Sequence, residues 1–120
     1  MKKYLKKRKE AFGYAFTGIV TLFRNEAHAK IHLAATILVV AAGLLVGLEK
    51  WEWCAIILCI GGVLMGEAFN TAIEKVCDKV SPERNPLIKI AKDVAAGAVL
   101  LFVLCAVTVG LIIFIPKFFF

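Results

Sequence analysis

The stretch CAIILCIGGVLMGEAFNTAIEKVCD, Cys54 to Asp78, changes character at Gly66 without any loop signal between its halves. Its first half is apolar throughout. Its second half carries Glu67, Asn70, Glu74 and Asp78 at i, i+3, i+7 and i+11. At about 100° per residue these four side chains fall within roughly 80° of one another on a helix. One helix therefore leaves an apolar environment and at once presents three carboxylates and a carboxamide on one side. Ionisable groups at membrane depth are costly and mark ion, proton or substrate chemistry. The competing reading is a solvated face just past a membrane exit, but Glu67 directly abuts the apolar run.

Composition agrees with a membrane setting. Of 120 residues, 61% are hydrophobic and the mean hydropathy is +0.83, whereas a soluble domain is about 45–50% apolar. A soluble core of this size could not bury so much apolar side chain, so lipid must act as solvent. The length suits one domain over residues 1–120. Working outward, Ile31 to Leu48 forms a first span, about 27 Å at 1.5 Å per residue. Glu49 to Glu52 is a short hydrophilic break beside Trp51 and Trp53, which suit a membrane interface, and reads as a tight hairpin. The second helix runs from Trp53 to Asp78, with Glu67 near the interface. Ser81-Pro82 and Asn85-Pro86 mark a turn in a charged loop from Asp78 to Asp93. A third span covers Val94 to Ile115, and Pro116 is expected to close it. Gly43 and Gly47, and Gly62 and Gly66, are small-xxx-small pairs suited to close helix contacts.

Residues 1–29 begin with Lys2, Lys3, Lys6, Lys7, Arg8 and Lys9 against Glu10. Next to so apolar a chain this cluster fits anionic headgroups better than nucleic acid. Phe12, Phe16, Ile19, Val20 and Phe23 recur at helical spacing, so an interfacial amphipathic helix is expected. Ala27-His28-Ala29 mimics a signal cleavage site, but Arg24, Asn25 and Glu26 interrupt the preceding stretch and argue against a signal peptide. Basic residues concentrate at the N-terminus and in the Asp78–Asp93 segment, while Lys50 and Lys117 stand alone at the other end. The positive-inside rule makes the N-terminus and the acidic face cytoplasmic, on the side where ATP is found. Cys54, Cys59, Cys77 and Cys105 form no CxxC pair and read as small buried hydrophobes.

The polar residues allow a definite chemistry. Glu26 and Glu74 lie on the same side of the membrane and could together hold Mg²⁺, which takes one or two protein carboxylates plus phosphate oxygens and water. Glu67, nearer the bilayer, could accept a proton from a lipid hydroxyl. Lys92 could neutralise phosphate charge. No Walker-type or kinase-type glycine loop is present. His28 and His32 are spaced i, i+4 like a metal pair, but without a third ligand interfacial hydrogen bonding is favoured. A small transporter using Glu67 as a proton or cation site, and a purely structural bundle, are the rival readings. The transporter gives no reason for Glu26, Glu74 and Lys92 to gather on the ATP side.

The pattern E-x-x-N-[ST]-A-I-E-x-x-x-D over Glu67–Asp78, with Ala91-Lys92-Asp93 following, resembles the prokaryotic integral-membrane diacylglycerol kinase family, which includes undecaprenol kinases. Gly13-Tyr14, Glu26 and Ile31-His32 extend the resemblance over most of the chain. It implies an all-α membrane protein, with a surface helix plus three spans per subunit, assembled as a homotrimer with shared sites. It implies ATP and Mg²⁺ as cofactors and a lipid alcohol as acceptor, with Glu67 as catalytic base and Asn70 orienting it. Glu26 and Glu74 would bind the metal, and Lys92, Asp93 and Asp78 would lie at the nucleotide phosphates. Tyr14, Glu83, Arg84 and Asn85 would border the nucleotide. Phe69, Cys77 and His28 depart from the usual residues of the family, the first two as apolar replacements. The loop SPERNPLIKIAKD is more like the undecaprenol kinase branch, although both lipids present a primary hydroxyl.

Overall fold

The structure, a computed structural model, describes residues 1–120. Four helices follow in order: α1 (Lys2–Asn25), α2 (Ala27–Val46), α3 (Lys50–Val80) and α4 (Pro86–Phe119). The last three are long and apolar enough to cross a membrane, in agreement with the three expected spans. At 1.5 Å per residue, α2 is about 30 Å long, matching the hydrocarbon core, while α3 and α4 run to about 46 and 51 Å. They must therefore overhang the bilayer.

Each boundary has a local cause. α1 ends because Glu26 is extended (φ −103°, ψ 119°) and serves as N-cap of α2. The surface helix thus stops at Asn25, four residues short of the expected boundary, and α2 starts at Ala27. α2 ends at Gly47, whose φ of 72° an L side chain rarely adopts. Gly47 is thus a turn residue, and within the chain it is not the packing partner of Gly43 that its spacing suggested. Three residues later α3 starts with a reciprocal capping box, Glu49 accepting from the N3 backbone and Glu52 from the Glu49 N–H at 2.9 Å. The Trp51 indole also donates to Glu49 (2.7 Å).

The charged loop is shorter than the sequence suggested. Only Ser81–Asn85 leave helical geometry, because Asn85 caps α4 by accepting from the Leu87 N–H (2.9 Å) and Pro86 occupies the first turn. Asp78 and Lys92-Asp93 are consequently on helices. Pro116 does not close α4, which continues to Phe119. Proline removes one N–H donor but not its carbonyl, and the Phe120 N–H bonds to the Pro116 carbonyl at 3.0 Å.

α3 and α4 form the closest pair. At one end Lys117 Nζ lies 3.0 Å from Glu52 Oε1, and Glu52 is buried. With that end pinned, the surplus length of both helices emerges at the other, as the segments Glu67–Val80 and Pro86–Asp93. In the middle Phe102 fills the space above Gly62. A Cβ at Gly62 would run into the tip of the ring, whereas one at Gly61 would meet nothing within 4 Å. Alanine is the better helix former by about 0.8–1.0 kcal/mol. Gly61→Ala should therefore stabilise the protein slightly, whereas at Gly62 the Phe102 ring must swing aside, so Gly62→Ala should be about 1 kcal/mol less favourable than Gly61→Ala. Thermal unfolding in mild detergent measures both, and equal effects would remove the Gly62–Phe102 contact as a determinant of the fold.

Only 11 of the 120 residues are buried within one chain, so lipid or further protein must cover the exposed apolar side chains of the spans. α1 is exposed except near its end, where Leu22 is buried. The molecule measures 53 × 47 × 21 Å. Three helices side by side at 8–10 Å spacing fill only about 30 Å, so α1 reaches outward from the spans, as a surface helix would. All four cysteines are free, but only Cys77 is buried. The others stand on helix faces that a single chain leaves open, where an apolar residue needs lipid rather than a protein core.

Candidate functional site

Burial along the polar face of α3 is graded. Glu67 is 5% and Asn70 9% exposed, Glu74 is half-buried and Asp78 is exposed. The gradient is one of packing, since His32 of α2 stands over Glu67 whereas Asp78 meets only the exposed Lys92 of α4. About 20 residues of α3 suffice to cross the hydrocarbon, so the helix clears it close to Asn70. From α2, His32 Nε2 stands 3.5 Å from Glu67 Oε2. Asn70 Nδ2 donates to Glu74 Oε1 over a long 3.4 Å, and its Oδ1 is buried without any partner. An orphaned buried acceptor costs about 1–3 kcal/mol, so this atom is a standing invitation to a donor or a cation.

Glu26, at the α1–α2 break, pairs with Lys75 of α3 (3.3 Å). This ties the surface helix to the polar end of α3, one residue from Glu74. The lysine is 70% exposed, so the pair contributes only about 0–1 kcal/mol and is easily exchanged for another cation. No three His, Cys, Asp or Glu side chains converge as a complete metal site. The oxygen donors of Glu26 and Glu74, with the free Asn70 Oδ1 on the same helix face, fit a hard ion such as Mg²⁺, which keeps water and phosphate oxygens in its shell.

Further out, Lys92 donates to Asp78 and Lys89 to Asp93. The first bond joins the emerging ends of α3 and α4, and it holds the Lys92 ammonium above the usual lysine range. Ser81, Glu83, Arg84 and Asn85 complete the rim of a polar concavity of about 750 Å³ that also takes in Asp78, Lys89, Lys92 and Asp93. That volume lies within the usual range for small-molecule sites, about 300–1,000 Å³. A second, apolar cavity of about 200 Å³ lies between α2, α3 and α4, and His32 is among its walls.

The sequence profile of prokaryotic diacylglycerol kinase matches residues 13–114. The chain belongs to that family. Among curated members, the undecaprenol kinase of Bacillus subtilis is 43% identical over 108 residues, covering 90% of this chain and 88% of the relative. The diacylglycerol kinase of Pseudomonas aeruginosa is 33% identical, covering 78% and 76%. That of Escherichia coli K12 is 30% identical, covering 82% and 80%.

In this member of the diacylglycerol kinase family, the residues singled out from the sequence fall into three places. Glu67, Asn70 and Glu74 form one continuous face, and Glu26 is joined to the same helix through Lys75, next in sequence to Glu74. Asp78, Glu83, Arg84, Asn85, Lys92 and Asp93 line the polar concavity. Tyr14 is 75% exposed on α1 and makes no polar side-chain contact within the chain, so a single subunit does not bring it to the others. Sequence reasoning missed three partners. Lys89 had a signal, its i, i+4 spacing to Asp93. Lys75 and the contact of His32 with Glu67 had none, since each bridges helices whose relative rotation no local pattern specifies.

Proposed function

We propose that this chain is a membrane lipid kinase that transfers the γ-phosphate of ATP to the primary hydroxyl of undecaprenol or a diacylglycerol. In this reading Glu26 and Glu74 would hold Mg²⁺, which would supply positive charge beside the phosphates, and Glu67 is the general base. Family membership supports the lipid-kinase activity. The observation that carries the mechanism is the position of Glu67. Its carboxylate is buried where α3 leaves the hydrocarbon, with the apolar cavity on one side, reached past His32, and the polar, lysine-bearing concavity further along the same helix face.

In this mechanism the lipid tail occupies the apolar side, so its hydroxyl meets Glu67. The nucleotide lies in the polar concavity, its charge opposed by Lys92, Lys89 and Arg84, and its triphosphate runs back along α3 past Glu74 so that the γ-phosphate reaches the hydroxyl at Glu67. Glu26 and Glu74 would hold Mg²⁺, which would offset phosphate charge, and Asn70 orients the face around Glu67. Asp78 and Asp93 position the two lysines, and Glu83, Asn85 and Tyr14 border the nucleotide. The lipid O–H proton passes to Glu67 as oxygen attacks the γ-phosphorus in line and ADP leaves. Positioning and charge neutralisation supply most of the catalysis. The site is completed between neighbouring subunits of a homotrimer, which would give the exposed Tyr14 a partner. The chain lies in the bacterial cytoplasmic membrane with its basic N-terminus and the Ser81–Asn85 turn inside.

The test is ATP consumption by the purified protein in detergent with and without a panel of lipid alcohols. Consumption that requires a lipid alcohol, with label recovered in the lipid, is expected. ATP left intact with every alcohol would favour a transporter that uses Glu67 as its ion site.

A further inference from the structure

We propose that His32 is the positioning residue for the Glu67 carboxylate, holding one oxygen so that the other faces the acceptor hydroxyl. The inference rests on Glu67 being the base. Glu67 is 5% exposed, and the imidazole is its one polar side-chain partner in the chain, with Nε2 at 3.5 Å from Oε2. A buried carboxylate with one partner has one oxygen tethered and one available. The separation is longer than a formed hydrogen bond, about 2.7–3.2 Å, as contacts in resting sites often are before substrate closes them.

The surroundings make this contact more than a chance approach. Ala29, three residues earlier on the same face of α2, is 0% exposed, so α2 is pressed home at this level. The Thr36 hydroxyl donates to the His32 carbonyl (2.8 Å) and places no demand on the ring. The ring also forms part of the wall of the apolar cavity, alongside Thr36 and Val63. It therefore touches both the base and the space assigned to the lipid. A donor here can set the carboxylate plane before the lipid arrives, leaving the free oxygen to receive the hydroxyl proton. His32 itself takes no proton in this scheme.

The test separates a positioning role from a mere tether between α2 and α3. Glutamine places an amide nitrogen where Nε2 stands, whereas asparagine is polar but too short to reach Glu67. His32→Asn should lower kcat by about tenfold to a hundredfold, the worth of one hydrogen bond to a charged group, with the KM for ATP little changed. His32→Gln should recover most of that loss. In a Glu67→Gln background, His32→Asn should cause no further loss in labelled-lipid accumulation, because both changes act through one group. Wild-type kcat in His32→Asn, equal impairment of the Asn and Gln variants, or losses that multiply in the double variant would each overturn the proposal. Full activity in Glu67→Gln alone would instead overturn the assignment of the base.

Discussion

Glu67→Gln should reduce lipid phosphorylation by about two to four orders of magnitude, the usual contribution of a general base. The KM for ATP should stay close to that of the wild type. The substitution is nearly isosteric, so the α3 face and the approach of His32 at 3.5 Å are kept while the proton acceptor is removed. The carboxamide can still accept a hydrogen bond, so the fold should suffer little even at a buried position. The effect should appear as lost kcat, because the base acts only as the acceptor oxygen attacks, while in this reading the rest of the nucleotide is held further along α3, from Glu74 to the concavity that Asp78 lines. The measurement is transfer of labelled γ-phosphate to a saturating lipid alcohol. Turnover near the wild-type value would remove Glu67 from the mechanism.

The second large effect concerns the metal. Glu26 precedes the first span and Glu74 lies beyond Glu67 on α3, yet the Glu26–Lys75 pair brings the two segments together. Without a cation, two carboxylates near a triphosphate oppose its binding. Lys75 offsets part of that charge, and a Mg²⁺ held by Glu26 and Glu74 would supply the remaining positive charge. Glu26→Gln and Glu74→Gln should each raise the Mg²⁺ concentration needed for half-maximal ATP turnover by about tenfold or more, since even outer-shell changes at metal sites cost about 10–100-fold. The double variant should lose less than the sum of the two free-energy losses, because both side chains serve one ion. The KM for lipid should hardly move. The check is a Mg²⁺ titration of turnover for the two singles and the double. Wild-type Mg²⁺ dependence in both singles would sink the metal-site assignment and strengthen the transporter reading.

The chain's sequence by itself determined the features that depend on one helix at a time. Apolar run lengths marked the three spans, and the i, i+3, i+7, i+11 spacing put Glu67, Asn70, Glu74 and Asp78 on one face. The motif over that face and Lys92-Asp93 indicated the family, which the match over residues 13–114 then showed. These features are legible because helical period and hydrocarbon thickness are set by the backbone and the bilayer, whatever else the helix touches. Several local expectations still missed. Pro116 stays inside α4 because its carbonyl can still accept from Phe120, and Gly47 turns the chain because its φ is positive. What only the tertiary structure decided is how the helices are rotated and slid against one another. The seat of Phe102 over Gly62 sets the approach of α4 to α3, and Lys117–Glu52 pins the end from which both helices overhang. That register carries Lys92 to Asp78, and the break at Glu26 lets α2 bring His32 to Glu67. Such pairings arise from side chains distant in sequence filling shared space, and no periodicity within one helix encodes the angle at which it meets the next.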